Sequence, residues 1–244
     1  MAILSSVPRT ARSIAAGGFY HVLNRGNGRQ AIFHKDADYD TFCRIFADGL
    51  RRYPVKLYCW CLMPNHWHLI LSPEDADAIG RLLGWVGVTH VRRHHAHYHT
   101  AGGGHLYQGR FKSFPIEGGK HFRAVCRYVE ANPRRAKLVK RAEDWRWSSL
   151  AAHVDPPAAR PEDVAADAWP ALTRWPGKKP ADWEQRVNRP IEVAEAEAMK
   201  LSIARGRPYG SATWTAETAK KLGLEYTLRD RGRPRKERED EGKE

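Results

Sequence analysis

The sequence is short of long apolar runs. None of its hydrophobic stretches approaches the roughly 20 residues needed to cross a bilayer. The opening MAILSSVPRTARSIAAGG carries too brief an apolar segment for a secretory signal, so a cytoplasmic protein with no membrane partner is expected. Cysteine is scarce as well: Cys43, Cys59, Cys61 and Cys126 include no CxxC pair, and two of them lie one residue apart in strand-like sequence. Neither a disulfide framework nor a structural zinc site follows, and reduced, partly buried thiols are expected. Acidic side chains are also in deficit. Asp and Glu total 28 against 41 Lys and Arg, giving a formal net charge of +13 and a pI near 9.8. A polyanionic partner is therefore the first to consider, and nucleic acid and an anionic membrane surface both qualify.

At 244 residues the chain is long enough for one domain of ordinary size with appendages, or for two small ones. GGFYHVLNRG, residues 17–26, alternates apolar and polar positions between glycines and reads as a first strand. DADYDTFCRIFADGLRR places Tyr39, Phe42, Ile45, Phe46 and Leu50 at helical spacing, with acidic residues in the first turn and arginines in the last. VKLYCWCLM and HWHLILS then form a hairpin around Met63-Pro64-Asn65-His66, where Pro64 fixes its own φ and Asn65 tolerates a positive one. A second long helix follows over DADAIGRLLGWVGVTHVRRHHAHYH, weakened by Gly80, Gly84 and Gly87. RFKSFPIE reads as a fourth strand at an edge because of Pro115, and GKHFRAVCRYVEANP as a helix stopped near Asn132. The order β-α-β-β-α-β plus a helix is a ferredoxin-like α+β plan: an antiparallel sheet with two helices on one face and the other face open to a ligand.

From about residue 155 the composition shifts to Ala, Pro, Trp and charge, which reads as a linker-like connector. RPIEVAEAEAMKLSIARG and SATWTAETAKKLGLEYTL are helix-like, and RDRGRPRKEREDEGKE has no apolar periodicity. The expected organisation is an arm at 1–16, a main domain at 17–152, a connector at 153–182, a helical extension at 183–228 and a charged tail at 229–244.

His66 and His68 stand one residue apart at the start of the third strand, so both imidazoles point to one face and can converge on one ion. Trp67, Leu69 and Leu71 point the other way. Two imidazoles leave coordination positions free, which suits a catalytic metal better than a closed structural site. On spacing alone, two polar positions on an exposed strand face remain the commoner explanation. In CRYVEANP, Tyr128 and Asn132 lie one helical turn apart on one face, with small neighbours. That presents a nucleophile with a polar partner, although on these residues alone a half-buried aromatic and an asparagine helix terminator are the commoner explanation. A phenol is a poor nucleophile at neutral pH, since its pKa is about 10, and a divalent metal would help by polarising and orienting a phosphate.

These residues together resemble the REP-associated tyrosine transposases, a branch of the HUH single-strand DNA transposases. The resemblance rests on YHVLNRGNGRQAIF, CLMPNHWHLIL, QGRFKS, YVEANPRRAKLV, WRWSS, RGRPYGSATW and LGLEYTLRDRGRPRK, in the order expected along nearly the whole chain. It implies an RRM-like α+β nuclease domain with His66 and His68 as ligands of Mg²⁺ or Mn²⁺, Asn132 as the third ligand or another polar group of the metal site, and Tyr128 as nucleophile. It also implies cleavage of single-stranded DNA at a repetitive extragenic palindrome hairpin, leaving a 5′-phosphotyrosyl intermediate and a free 3′-OH. HLYQGRF departs from the family pattern, since Tyr107 stands where a tryptophan is expected.

Basic residues interleaved with aromatics mark the expected DNA surface: Arg25, Arg29, Arg92, Arg93, Arg110, Lys112, Arg134 and Arg135. RGRP occurs at Arg205 and Arg207 and again at Arg231 and Arg233, and such a segment can lay guanidinium groups in a minor groove. Two other functions compete. One is a hairpin-binding protein that has lost its chemistry, and the other is a zinc hydrolase that joins His66 and His68 to one of His94, His95, His97 or His99. The long extension favours a monomer acting on DNA with its own tyrosine, and no small-molecule substrate is implied.

Overall fold

The computed structural model of the protein describes residues 14–154 and 160–229. Most of the arm at 1–16, and Arg231 and Arg233 in the tail, lie outside the described residues. Strands β1 (Phe19–Arg25), β2 (Val55–Met63), β3 (His66–Pro73) and β4 (Lys112–Ile116) form one antiparallel sheet in the spatial order β2-β3-β1-β4. Helix α1 (Asp36–Arg52) joins β1 to β2, and α2 (Ala78–Tyr98) lies between β3 and β4. This is the ferredoxin-like α+β arrangement that the order of elements predicts. Strand β4 is at an edge, as Pro115 with its missing N–H requires.

Strand alternation divides the interior into two cores. On one face Val22, Trp67, Leu69 and Leu71 pack against Phe42, Ile45 and Phe46 of α1 and Ile79, Leu82 and Val86 of α2. The two helices approach closely because position 49 is glycine: a Cβ there would stand 2.7 Å from Leu82 Cδ1 and 3.0 Å from Val86 Cγ2.

The second face is not left open, contrary to the two-helix plan. Helix α3 (Lys120–Glu130) lays Phe122, Val125, Cys126 and Val129 over Cys59, Cys61, Ile70 and Phe114. Trp175, Trp183 and Met199 complete the layer. A register shift in β2 between Leu57 and Cys59 puts both Tyr58 and Cys59 into this second core, which enlarges the apolar face that needs a cover. Each large apolar side chain buried there contributes about 1.5–3 kcal/mol. The cover stops short of the end of the sheet that carries His66, where a cavity remains.

After α3 the chain does not stop at Asn132. One further turn, α4 (Asn132–Arg135), follows, with Pro133 in the first turn, where the missing N–H costs no intrahelical bond. Next come α5 (Ser149–Val154), α6 (Trp183–Asn188), α7 (Val193–Arg205) and α8 (Ala212–Leu222), the last capped by Ser211 Oγ accepting from the Trp214 N–H.

The segment with linker-like composition is packed against the sheet. Val164 and Trp169 enter the first core, and Trp175 and Trp183 the second. Thr173 N–H donates to Leu57 O (2.7 Å), Trp175 Nε1 to Tyr58 O (3.2 Å), and Leu62 N–H to Trp147 O (2.9 Å), so chain from beyond α4 covers the outer edge of β2. At the opposite edge, Tyr209 N–H donates to Pro115 O and Tyr209 O accepts from Glu117 N–H, both at 2.9 Å. The four cysteines are free and buried. Among the described residues no helix is long and apolar enough to cross a membrane.

Candidate active site

The site begins at the β2–β3 turn. Asn65 does not take the positive φ that its position suggests; it acts through its side chain. Asn65 Nδ2 donates to Arg29 O at 3.0 Å, which turns Oδ1 toward His66 Nδ1 at 2.6 Å. His66 Nδ1 therefore carries a proton, and Nε2 keeps its lone pair. The loop after β1 is sewn to the same turn, through Gly26 N–H to Asn65 O and Ile32 N–H to Pro64 O, each 2.8 Å. Gly26 is required there, since a Cβ would lie 2.2 Å from Gln30 O.

Along β3, Trp67 points into the first core and donates Nε1 to the Tyr107 hydroxyl at 3.1 Å. That hydroxyl also lies 2.8 Å from His90 Nδ1, so the tyrosine that departs from the family pattern is tied into the packing behind the histidines. His68 points the other way and is buried, with Nδ1 2.8 Å from Nε2 of His21 on β1. Sequence reading missed His21, although a signal existed. Alternation in FYHVLN puts His21 on the side of Phe19 and Leu23, and pairing of β1 with β3 sets Leu23 opposite His68.

Burial keeps all three imidazoles neutral near pH 7. It lowers His21 to about 3, with His66 adding to the effect, and lowers His66 to about 4, with Arg25 adding. His68 is pushed well below the usual histidine range by burial first, then by His66, His21, Arg25 and Arg135. Neutral imidazoles are the form that binds metal ions.

Tyr128 comes from α3 and reaches the same end of the sheet, its ring edge-on to His68 with centroids 6.4 Å apart. The Arg135 guanidinium lies 4.4 Å from the centroid of the Tyr128 ring. Asn132 donates Nδ2 to Val129 O at 3.3 Å, which leaves Oδ1 free to coordinate. Tyr128, Asn132, His66 and His68 line one cavity of about 390 Å³. Arg25 and Arg135 line it as well, and so does Lys200 of α7, a residue that sequence reading did not single out.

Chain from beyond α4 holds α3 in place. Glu130, fully buried, accepts from Trp183 Nε1 at 2.6 Å and from Ser149 Oγ. Burial raises its pKa, opposed chiefly by Lys179. Arg127 donates to the carbonyls of Arg186, Arg189 and Pro190.

The other basic candidates divide by position. Lys112 pairs with Leu23, which also pairs with His68, so Lys112 stands on the face of the histidines. Arg134 neighbours Arg135 on α4. Arg29 and Arg110 are exposed in loops, Arg205 ends α7, and Arg207 is half-buried beside the Tyr209 bridge. Arg92 and Arg93 are not brought to the site, because α2 packs on the opposite face of the sheet. The same packing removes His94, His95, His97 and His99, and with them the geometric basis of the zinc hydrolase. Among the described residues no group of three or more His, Cys, Asp or Glu is placed to hold a metal.

Residues 16–132 match the family model Transposase IS200 like. The chain is similar to the REP-associated tyrosine transposase of Escherichia coli (strain K12), 24% identical over 138 residues, which cover 56% of this chain and 78% of that protein. It is also similar to a solved structure of a REP-associated tyrosine transposase bound to a REP hairpin, at 24% identity and a TM-score of 0.47, covering 71% of this chain and 98% of that one. The matched segment takes in the whole sheet together with His66, His68, Tyr128 and Asn132, so the part of this chain that is similar to the IS200-like transposases is the part that builds the site.

Proposed function

We propose that the protein is a metal-dependent endonuclease and strand transferase that cuts single-stranded DNA beside a repetitive extragenic palindrome hairpin and rejoins it through Tyr128. One observation carries this reading: Tyr128, Asn132, His66 and His68, drawn from a strand and two helices, line one cavity whose remaining polar wall is basic. The name of the Escherichia coli relative, a REP-associated tyrosine transposase, supports a REP element as substrate.

In the forward step the Tyr128 oxygen attacks the scissile phosphorus and gives up its phenolic proton, which balances the one that the departing oxygen gains. The bond from phosphorus to the 3′ oxygen breaks, the departing oxygen takes up a proton, and the 5′ phosphate stays on the tyrosine. Resealing reverses the order, with a 3′-OH displacing the tyrosine oxygen. Because one phosphodiester replaces another, no outside energy source is needed. Arg25, Arg135 and Lys200 offset phosphate charge at the cavity wall, and Arg135 holds the tyrosine ring.

The residues present fit a divalent cation such as Mg²⁺ or Mn²⁺. Asn65 and His21 occupy the Nδ1 atoms of His66 and His68, each ring keeps one free nitrogen, and Asn132 offers an amide oxygen. When bound there, a metal supplies Lewis-acid polarisation of the scissile phosphate. Lys112, Arg29, Arg110, Arg134, Arg205 and Arg207 extend the basic surface along the DNA, and Arg92 and Arg93 stand outside it. The extension at 183–228 fixes α3 from within the same chain, which supports a monomer with Tyr128 acting in cis, in the cytoplasm where its DNA lies; a dimer mass in sedimentation counts against it.

The deciding experiment incubates the protein and Mg²⁺ with a labelled hairpin carrying single-stranded flanks, taken from palindromes beside the gene. A denaturation-resistant protein–DNA adduct is expected, and Tyr128→Phe should bind the hairpin without forming it. An adduct that persists in Tyr128→Phe sinks the assignment.

A further inference from the structure

The cavity at Tyr128 does not close at Arg135 and Lys200. Both residues also line a second cleft, of about 380 Å³, that continues between α4 and the start of α7. We propose that this cleft binds the single-stranded segment adjoining the scissile phosphodiester, so that α7 completes the active site and leads the strand out of it. The inference rests on the function proposed above and adds a subsite to it.

Charge and shape both point to a polynucleotide strand. Arg134, Arg135, Arg189 and Lys200 face the cleft with Glu197 as the one carboxylate among its lining residues. Neighbouring arginines that hold the fold together are paired: Arg127 with Glu195, Arg141 with Glu184, Arg186 with Asp182. Among the described residues Arg134, Arg135 and Arg189 form no salt bridge, so their charge is free for phosphates. Lys200 meets Glu197 at 2.7 Å, but that pair is exposed and of the kind worth little, so a phosphate can displace the carboxylate.

The cleft also offers apolar surface. Pro190, Ile191 and Val193 line it, and Val193 is 77% exposed. A single strand presents phosphates and bare base faces together, whereas a duplex stem hides its bases. The site is preformed, because Met199 and Ser202 bury the inner face of α7 and Glu195 holds it to Arg127 at 3.6 Å.

Fluorescence anisotropy on the full-length Tyr128→Phe protein tests this with two probes, a hairpin bearing single-stranded flanks and the same hairpin without them. Arg189→Gln should raise Kd for the flanked probe by about tenfold, make its salt slope shallower by about 0.7, and leave the bare hairpin unaffected. Val193→Asp, an exposed change that sets a carboxylate in the cleft, should act in the same direction. Equal weakening on both probes, or on neither, overturns the proposal. The assay reads binding without cleavage. Absence of the tyrosine adduct in wild type would therefore sink the chemistry while leaving this result standing.

Discussion

His21 Nε2 lies 2.8 Å from His68 Nδ1, a contact between two buried imidazoles on neighbouring strands. One proton lies between them. When His68 Nδ1 carries it, His68 Nε2 is a free lone pair; when His21 Nε2 carries it, His68 Nε2 is protonated and cannot coordinate. His21 Nδ1 is buried without a hydrogen-bond partner, so neither arrangement is anchored from behind. His21→Phe keeps the bulk beside Phe114 and removes the nitrogen. Mn²⁺ affinity, measured by calorimetry on the metal-free protein, should fall about 10- to 100-fold. Unchanged affinity would mean that His21 is packing only.

Asn65 orients the other imidazole. Asn65→Ala removes both the acceptor for His66 and the tie to Arg29 O, and should weaken Mn²⁺ binding and lower stability by about 1 kcal/mol. Asn65→Asp keeps an acceptor for His66 Nδ1 and should restore most of the metal affinity. Equal loss in both variants would argue that the turn, not the hydrogen bond, matters.

Trp183 donates to Glu130, two residues beyond Tyr128 on the same chain. Trp183→Phe leaves a buried carboxylate oxygen without its indole donor and should cost about 1–3 kcal/mol in urea unfolding. An unfolding free energy within error of the parent would show that Ser149 and Lys179 suffice to hold Glu130.

Acid should destabilise the fold well before its carboxylates titrate. His21 and His90 are buried as neutral rings and held near 3 by desolvation, with His66 and His94 respectively adding to the effect. An unfolded chain binds protons at both as pH falls below about 6.5 while the native state does not, so stability is full above that pH and is lost on the way down toward 3. Each contributes up to about 1.4 kcal/mol per pH unit in that window. Urea midpoints at pH 7, 6 and 5 should decline, and His90→Asn should flatten the slope. A slope that stays the same in His90→Asn would contradict this assignment.

The sheet, its hairpin and the local pairings of the site were legible in the sequence because each depends on short-range pattern. Alternation aims His66 and His68 together, and helical spacing puts Tyr128 with Asn132. What escaped depends on long-range placement. That His21 of β1 meets His68 is set by which strands pair and in what register, and basic residues carry no sign of which sheet face their helix will cover, as Arg92 and Arg93 show. Trp169, Trp175 and Trp183 lie in sequence of linker composition with no period to betray them, yet they seal both cores. Lys200 reaches the cavity only because α7 folds back over α4.

The covered sheet edges have a consequence for the newly made chain. Strands β2 and β3 pair across a two-residue turn and can form early, but Trp175 joins the outer edge of β2 from 117 residues downstream, and Tyr209 reaches β4 later still. Contacts so distant in sequence slow folding. During synthesis the sheet and the α3 layer can therefore form while both strand edges are still bare, and unpaired edges of that kind make a folding intermediate prone to aggregate.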